Sequence, residues 1–389
     1  MPRTVWALGF VSLLMDTSSE LIHALLPVFL VTTLGASMLA VGIIEGVAEA
    51  ATAIVKVFSG VISDWIGKRK PLLVLGYGLA ALTKPLFPLA ATVSLVLTAR
   101  LLDRIGKGIR GAPRDALVAD VTAPSQRGAA FGLRQSLDTI GAFLGPLLAI
   151  ALMFWFADDI RSVLWFAVLP AFLAVALLVI AVPEPEGMTA AKEHRFPISR
   201  AALRKLSARY CWVVVVGAVL TLARFSEAFL ILRAQDVGLS LAWIPMVLVT
   251  MSAVYALPAY PAGVFSDRMS RLLLLTMGVA VLIGADLILA WLPSLSGVFL
   301  GAALWGLHMG LTQGLLSALV ADAAPVELRG TAFGVFSLLC GAMMVVASGL
   351  AGYLWDGFGA PVTFLTGATF TAFALAALPL LRERHPQIP

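Results

Sequence analysis

Gly60-Val-Ile-Ser-Asp64-Trp-Ile-Gly67-Lys68-Arg69-Lys70 closes one apolar run of the chain, and Gly263-Val-Phe-Ser-Asp267-Arg268-Met-Ser-Arg271 closes another, 203 residues later. A second pair recurs at nearly the same offset. Asp120 to Gly132 (DVTAPSQRGAAFG) is answered by Asp322 to Gly334 (DAAPVELRGTAFG), 202 residues on. Two unrelated motifs repeating at one spacing mark an internal duplication. What is duplicated follows from the sequence between the motifs.

That sequence is apolar. Of 389 residues 60% are hydrophobic and only 13% are charged, about half the charged share of a soluble globular protein. A mean hydropathy of +0.97 excludes disorder, collagen and an ordinary water-soluble enzyme. The apolar residues come in runs of about 18–25, the length that crosses roughly 30 Å of hydrocarbon. Twelve spans fit, near 6–32, 40–63, 71–91, 92–116, 129–155, 162–182, 210–232, 241–265, 272–292, 296–320, 331–354 and 360–381. The expected fold is an all-α polytopic membrane protein, with twelve transmembrane helices in two pseudo-symmetric six-helix bundles. Repeats of this kind are built into transporters whose site lies between two bundles.

The longest polar stretch runs from Pro183 to Arg209 and divides the chain into bundles 1–182 and 210–389 around a linker, 183–209. Its last part, Ile198 to Leu206, is expected to form a short surface helix. The first apolar run is interrupted by Asp16 and Glu20 and has no small-residue cleavage site after it, so it reads as a span and not a signal peptide. With the N-terminus in the cytoplasm, sixteen of the 27 basic residues fall in cytoplasmic segments, and only Arg161 and Arg233 face the other side. That bias places both termini and the linker in the cytoplasm, the membrane being the inner, or cytoplasmic, one. The net charge of +5 therefore reflects topology and not nucleic-acid binding. Cys211 and Cys340 cannot make a disulfide framework and pack as small apolar residues.

At the quoted motifs the chain resembles the major facilitator superfamily, over its whole length. The loop after span 2 matches that family's G-x-x-x-D-R-x-G-R-R pattern at Gly60, Asp64, Gly67, Lys68 and Arg69, with Trp65 where the pattern has arginine. The second copy keeps Gly263, Asp267 and Arg268. Span 4 carries a version of the family's arginine motif from Arg100 to Asp120, with Arg104 at a position usually held by glycine. Gly141-x-x-x-Gly145-Pro146 in span 5 is similar to the glycine-proline motif of the proton-driven drug and metabolite export branch. The resemblance implies a secondary transporter in which the Gly60–Arg69 and Gly263–Arg268 segments act as gating motifs. Physically, Gly60 permits close helix approach, and Asp64 can bond free backbone N–H groups or an arginine in one state and release them in another. The plainer reading makes Asp64 a loop anchor, and Gly141, Gly145 and Pro146 a packing seam with a bend.

Charges inside the spans carry the rest, because a charged side chain at mid-bilayer costs roughly 2.5–3.5 kcal/mol and usually marks function. At about 100° per residue, Asp16, Glu20 and His23 share one face of span 1, Glu45, Glu49 and Lys56 one face of span 2, and Arg100, Arg104, Lys107 and Arg114 one face of span 4. Span 7 carries Arg224 and Glu227 one turn apart. Asp16, Glu20, Glu49 and Glu227 are the candidate proton carriers; Glu20 and Glu227 each follow a serine in corresponding places of the two halves. His23, Glu45, Lys56, Arg104, Lys107 and Arg224 are the candidate substrate-cavity residues. Asp103, Arg110, Asp115, Arg134 and Asp138 are expected to be mostly structural. The plainer reading is that about half of these deep charges only pair across helices and hold them together.

No Walker G-x-x-x-x-G-K-[ST], H-E-x-x-H, paired C-x-x-C or G-x-S-x-G occurs, so neither an enzyme nor direct ATP drive is indicated. The expected activity is proton-coupled export of a small organic molecule, amphipathic or anionic, by alternating access. The partners are that substrate, protons and the lipid bilayer, with no cofactor, no metal and no nucleic acid, and the protein is expected to be a monomer. Two alternatives stay open. One is a carrier of metal ions or chelates through Asp16, Glu20 and His23, although the arginines nearby repel a bare cation. The other is a non-transporting receptor or scaffold.

Overall fold

The computed structural model describes residues 1–184, 206–266, 271–325 and 328–381. The described chain forms twelve long helices: α1 (Arg3–Val28, continued by one wider turn over Phe29–Thr33), α2 (Met38–Ile66), α3 (Lys70–Thr83, followed by a short turn at Leu86–Leu89), α4 (Val93–Asp120), α5 (Arg127–Trp155), α6 (Ile160–Trp165 and Val168–Ala181), α7 (Ala208–Ala223, resuming at Ala228–Asp236), α8 (Met246–Ser266), α9 (Arg271–Trp291), α10 (Leu295–Ala323), α11 (Arg329–Phe358) and α12 (Ala360–Ala377). The starts have local causes. Ser37, Thr92, Ser207 and Ser294 accept hydrogen bonds from the amides of Ala40, Leu95, Tyr210 and Gly297, satisfying donors that have no partner within the helix. Gly67 ends α2 at φ 65°, a conformation glycine adopts without the Cβ clash of other residues.

Ten of these helices are long and apolar enough to cross a membrane; α4 and α8 fall short among the described residues. The eight charges between Arg100 and Asp120 are what exclude α4. It crosses because its charged face turns towards other helices and a cavity, where charge finds partners.

Both halves use one packing plan. In the first, α1 packs on α5 and α6, α4 on α2 and α3, and α3 on α6. In the second, α7 packs on α11 and α12, α10 on α8 and α9, and α9 on α12. Between the halves the main contacts are α2 with α11, α5 with α8, and α1 with the second part of α7. On the side away from the termini one apolar core runs through both bundles, taking in Leu25 and Phe29 of α1, Phe229 and Leu232 of α7, Trp355 of α11 and Phe364 of α12. On the terminal side each bundle has its own core, around Leu8, Tyr77 and Leu178 in one and Val213, Leu275 and Leu319 in the other. The bundles are joined at one end and parted at the other.

The closed end depends on small residues. A Cβ on Gly42 would strike the Ser348 backbone, one on Gly46 would lie 2.8 Å from the Val345 Cα, and one on Gly352 would strike Met38 and Leu39. These glycines let α2 and α11 touch backbone to backbone. There the Asp356 carboxylate of α11 accepts hydrogen bonds from the amides of Met38 and Leu39, 2.9 Å each, so one bundle caps a helix of the other.

Two spans differ from expectation. Span 3 is shorter as a straight helix than 71–91, because Pro85 offers no N–H to continue it. Span 7 is not continuous: the helix opens between Ala223 and Ala228, so Arg224 and Glu227 lie on an unwound segment and not one helical turn apart. No proline or glycine causes the break. Side chains do, as the Ser226 amide donates to Ser348 Oγ and the Ala228 amide to Ser226 Oγ. The surface helix expected at 198–206 lies outside the described residues, apart from Leu206.

Candidate functional site

Two adjoining cavities fill the space between the parted bundles. The deeper, about 420 Å³, is lined by Glu20, His23, Glu45, Glu49, Arg104, Lys107, Arg224, Phe225 and Glu227 together with Trp305, Met309 and Met344. The one nearer the termini, about 370 Å³, is lined by Asp16, Lys56, Arg110, Arg114, Asp138, Met251 and Tyr255, and shares Glu20, Lys107, Glu227 and Met309 with the first. All four candidate proton carriers and all six candidate cavity residues therefore face this space. Arg110 and Asp138, expected to be mostly structural, line it as well. Their helices lie at the parted end, where a position off the main arc still meets the opening.

The seam between α1 and α5 sets the depth of Glu20. A Cβ on Gly145 would come 2.8 Å from Leu21 N and Thr17 O and 2.9 Å from Glu20 Cβ, and one on Gly141 would strike Leu13 O. The glycine-proline motif thus works as a close-packing seam that presses α1, and Glu20 with it, against α5.

The charges divide into paired and unpaired groups. Arg100 donates to Glu45 at 2.7 Å, both fully buried. Lys84, 1% exposed, donates to Asp103 at 2.8 Å and to Ser19 Oγ at 2.9 Å, tying α3 to α4 and α1. Arg104 Nε lies 3.4 Å from Glu49, and His23 Nδ1 lies 3.0 Å from Glu20 with Nε2 4.0 Å from Glu45. Arg134 bridges to Asp138, and Arg110 stacks over the Tyr77 ring at 4.6 Å. Among the described residues, Asp16, Lys56, Lys107, Arg224 and Glu227 form no ion pair within 4 Å. Nor is any group of three metal-ligating side chains gathered there. Lys84 was missed in the sequence reading; a lysine inside an apolar run was its available signal.

At the terminal-side end of α2, a Cβ on Gly60 would sit 3.3 Å from Ala112 Cβ of α4. Arg69 donates to Ser63 Oγ at 2.7 Å and to Asp120 at 3.2 Å, linking the Gly60–Arg69 motif to the end of α4. Glu184 accepts from the amides of Arg69 and Lys70 at 2.7 and 2.9 Å and so fastens the start of α3 to the end of α6. The side chain of Asp64 lies outside the described ones. Gly263 falls within α8, while Asp267 and Arg268 lie outside the described residues.

Two six-helix repeats, closed at one end and holding a polar cavity between them, define a multi-pass secondary transporter of small molecules. The chain belongs to the major facilitator superfamily, whose family model matches residues 8–348 and 228–389. Members of that family are transporters, not enzymes. An MFS-type transporter of Methanocaldococcus jannaschii is 32% identical over 374 residues, covering 95% of this chain and 92% of the relative. The inner membrane transport protein YajR of Escherichia coli is 23% identical over 98% of this chain and 84% of its own length. Among solved structures, the nucleoside transporter NupG in a D323A mutant form superposes with a TM-score of 0.81 at 13% identity, over 98% of this chain and 100% of the other. At that identity the likeness is one of fold.

Proposed function

We propose that this protein exports a small amphipathic organic molecule in exchange for protons, by alternating access between the two bundles. One observation carries the reading. Asp16 and Glu20 of the first bundle and Glu227 of the second face the same space, none of them paired with an arginine or lysine within 4 Å among the described residues, and Met251, Met309, Met344 and Phe225 of the second bundle line it too. An apolar wall suits the hydrophobic part of such a molecule, and the carboxylates suit its polar part. A proton and a substrate donor group then compete for the same oxygens, which is the condition for antiport. In this reading Asp16, Glu20, Glu49 and Glu227 carry the proton, and His23, Glu45, Lys56, Arg104, Lys107 and Arg224 shape the polar wall.

Residues 1–182 and 210–389 act as the moving bundles, with 183–209 as the cytoplasmic linker. Gly60, Asp64, Gly67 and Arg69, with Gly263, Asp267 and Arg268, form the gates. Both termini are cytoplasmic, in keeping with the basic-residue bias, so the parted end opens inward. The membrane is the inner one, a placement supported by the likeness to the inner membrane transport protein of E. coli. The protein acts as a monomer.

Lys107 and Arg224 favour a second reading, since they are unpaired cations from opposite bundles on one cavity. A small organic anion between them would stabilise the protonated forms of Glu20 and Glu227, so anion and proton would move in the same direction. Proteoliposomes carrying an internal pH dye decide the matter. With substrate gradients from a panel of amphipathic cations, neutral compounds and anions, export by exchange requires proton movement opposite to the substrate. Movement in the same direction, seen with anions, establishes the second reading. No substrate-linked proton movement across the panel removes both.

A further inference from the structure

Asp286 lies in α9, outside both cavities. It is fully buried, and neither carboxylate oxygen has a hydrogen-bond partner. An ionised carboxylate left that way inside a membrane protein is strongly disfavoured, so the group needs a cation of some kind. The duplication shows what the equivalent place holds in the other half. At the 202-residue offset Gly76 matches Gly278 and the helix cap Thr92 matches Ser294, so Asp286 stands where the first half has Lys84, and Trp305 stands where it has Asp103. In the first bundle Lys84 Nζ fills the place, 2.8 Å from Asp103 and 2.9 Å from Ser19. The second bundle supplies a carboxylate there, and among the described residues no side-chain cation takes the place of Lys84.

Among the described residues no lysine, arginine or histidine forms an ion pair with Asp286 within 4 Å. Neither α8 nor α12 has a charged residue within its bounds. α10 carries His308, whose Nδ1 donates to Gly278 O at 2.8 Å, and, at its far end, Asp322. From α7 and its break, Arg224 and Glu227 line the deep cavity, and the buried Arg233 donates from Nε to Leu289 O of α9 at 3.0 Å and bridges to Asp236. A Cβ on Gly367 of α12 would lie 2.9 Å from Asp286 Oδ2, 3.1 Å from the Phe225 ring and 3.3 Å from Ala223 O. The carboxylate, the ring and the carbonyl that ends the first part of α7 thus converge on the bare face of α12. Phe225 packs on Trp305 and Phe364, with centroids 5.5 and 5.6 Å away, and also lines the deep cavity.

We propose that Asp286 is a proton-binding site of the second bundle, screened from the central cavity by Phe225 at the break in α7. A hard metal cation gathers about six oxygen ligands, whereas the convergence here is one carboxylate and one carbonyl among aromatic rings. A proton needs only one carboxylate oxygen, with which it forms the O–H bond of the neutral acid. Opening or closing of the α7 break moves Phe225 and so controls exchange of that proton with the cavity. This goes beyond the exchange reading above, since Asp286 binds its proton whether or not the cavity carboxylates couple transport.

Infrared difference spectroscopy on the purified full-length protein in detergent tests it without any transport measurement. One protonated-carboxyl carbonyl band should be lost in Asp286→Asn, kept in Glu20→Gln and Glu227→Gln, and unchanged when sodium chloride replaces potassium chloride. In Phe225→Ala, which retains Asp286, that band should shift at least tenfold faster after transfer to D2O. The proposal is overturned if Asp286→Asn removes no such band, or if sodium abolishes it. Should Asp286→Asn fail to fold, the Phe225→Ala exchange rate decides, and an unaltered rate sinks the proposal.

Discussion

Removing Asp356 should shift the protein away from the conformation described here. Its two oxygens accept from the first two amides of α2 at 2.9 Å each, and Ser37 serves the third. Bonds from neutral donors to a buried carboxylate would be worth about 1.5–3 kcal/mol apiece. Asp356 is exposed, however, so water replaces much of what is lost. The closer measure is the loss of a helix cap, about 1 kcal/mol within a range of 0.5–2. Because the cap crosses from α11 to α2, that loss falls on the state in which these ends touch and spares the state in which they part. In Asp356→Ala the ratio of the closed-end to the open-end population should drop about fivefold, the factor that corresponds to 1 kcal/mol at 25 °C. Spin labels at Thr33 and Phe358, in a background with Cys211 and Cys340 replaced by serine, report the separation of the two ends by pulsed electron resonance. A longer-distance population should grow in the variant. An unchanged distribution in a folded variant refutes the argument, because Asp356 would then cap α2 without biasing the bundles.

Three further outcomes follow from the same geometry. Asp103→Asn leaves Lys84 buried without its carboxylate and should lower stability by about 3–5 kcal/mol; the double change Lys84→Met with Asp103→Leu should regain most of it in a denaturation series, and no recovery would mean that packing, not charge, holds α3 to α4. Gly145→Val places methyl groups against the Leu21 amide, Thr17 O and the Glu20 Cβ, an overpacking of about 1–3 kcal/mol; it should abolish flux while a surface-facing change such as Gly78→Ala, which meets nothing within 4 Å, leaves it intact. Glu20→Gln keeps the size of the side chain, and its partner His23 can shed its charge, so folding should survive; transport measured from pH 5.5 to 8.5 should lose its pH dependence. A wild-type profile in that variant transfers the role to Asp16, Glu49 or Glu227.

Much of this was legible without coordinates. The period of the apolar runs gives helices and their number, and the recurrence of the Asp64 and Asp120 motifs gives the twofold plan. The helical phase of Asp16, Glu20 and His23 shows that they face one way. These are properties of a single helix or of the chain compared with itself, and the bilayer enforces them locally by excluding unpaired backbone polar groups. Pairing is different in kind. Arg100 and Lys107 share a face of α4 and look alike in sequence, yet Arg100 is neutralised by Glu45 while Lys107 stands open to the cavity. The break in α7 escaped as well, since its cause is the Ser348 hydroxyl of α11, far along the chain. Lys84 and Asp286 occupy one place in the two halves, and only their neighbours separate a structural ion pair from an acid without a partner. Helix, repeat and facing direction are thus determined by the sequence itself. Which charges cancel and which remain for function is decided by the tertiary structure, because Coulomb and hydrogen-bond energies depend on distances of a few ångströms between helices that the chain does not place side by side until it folds.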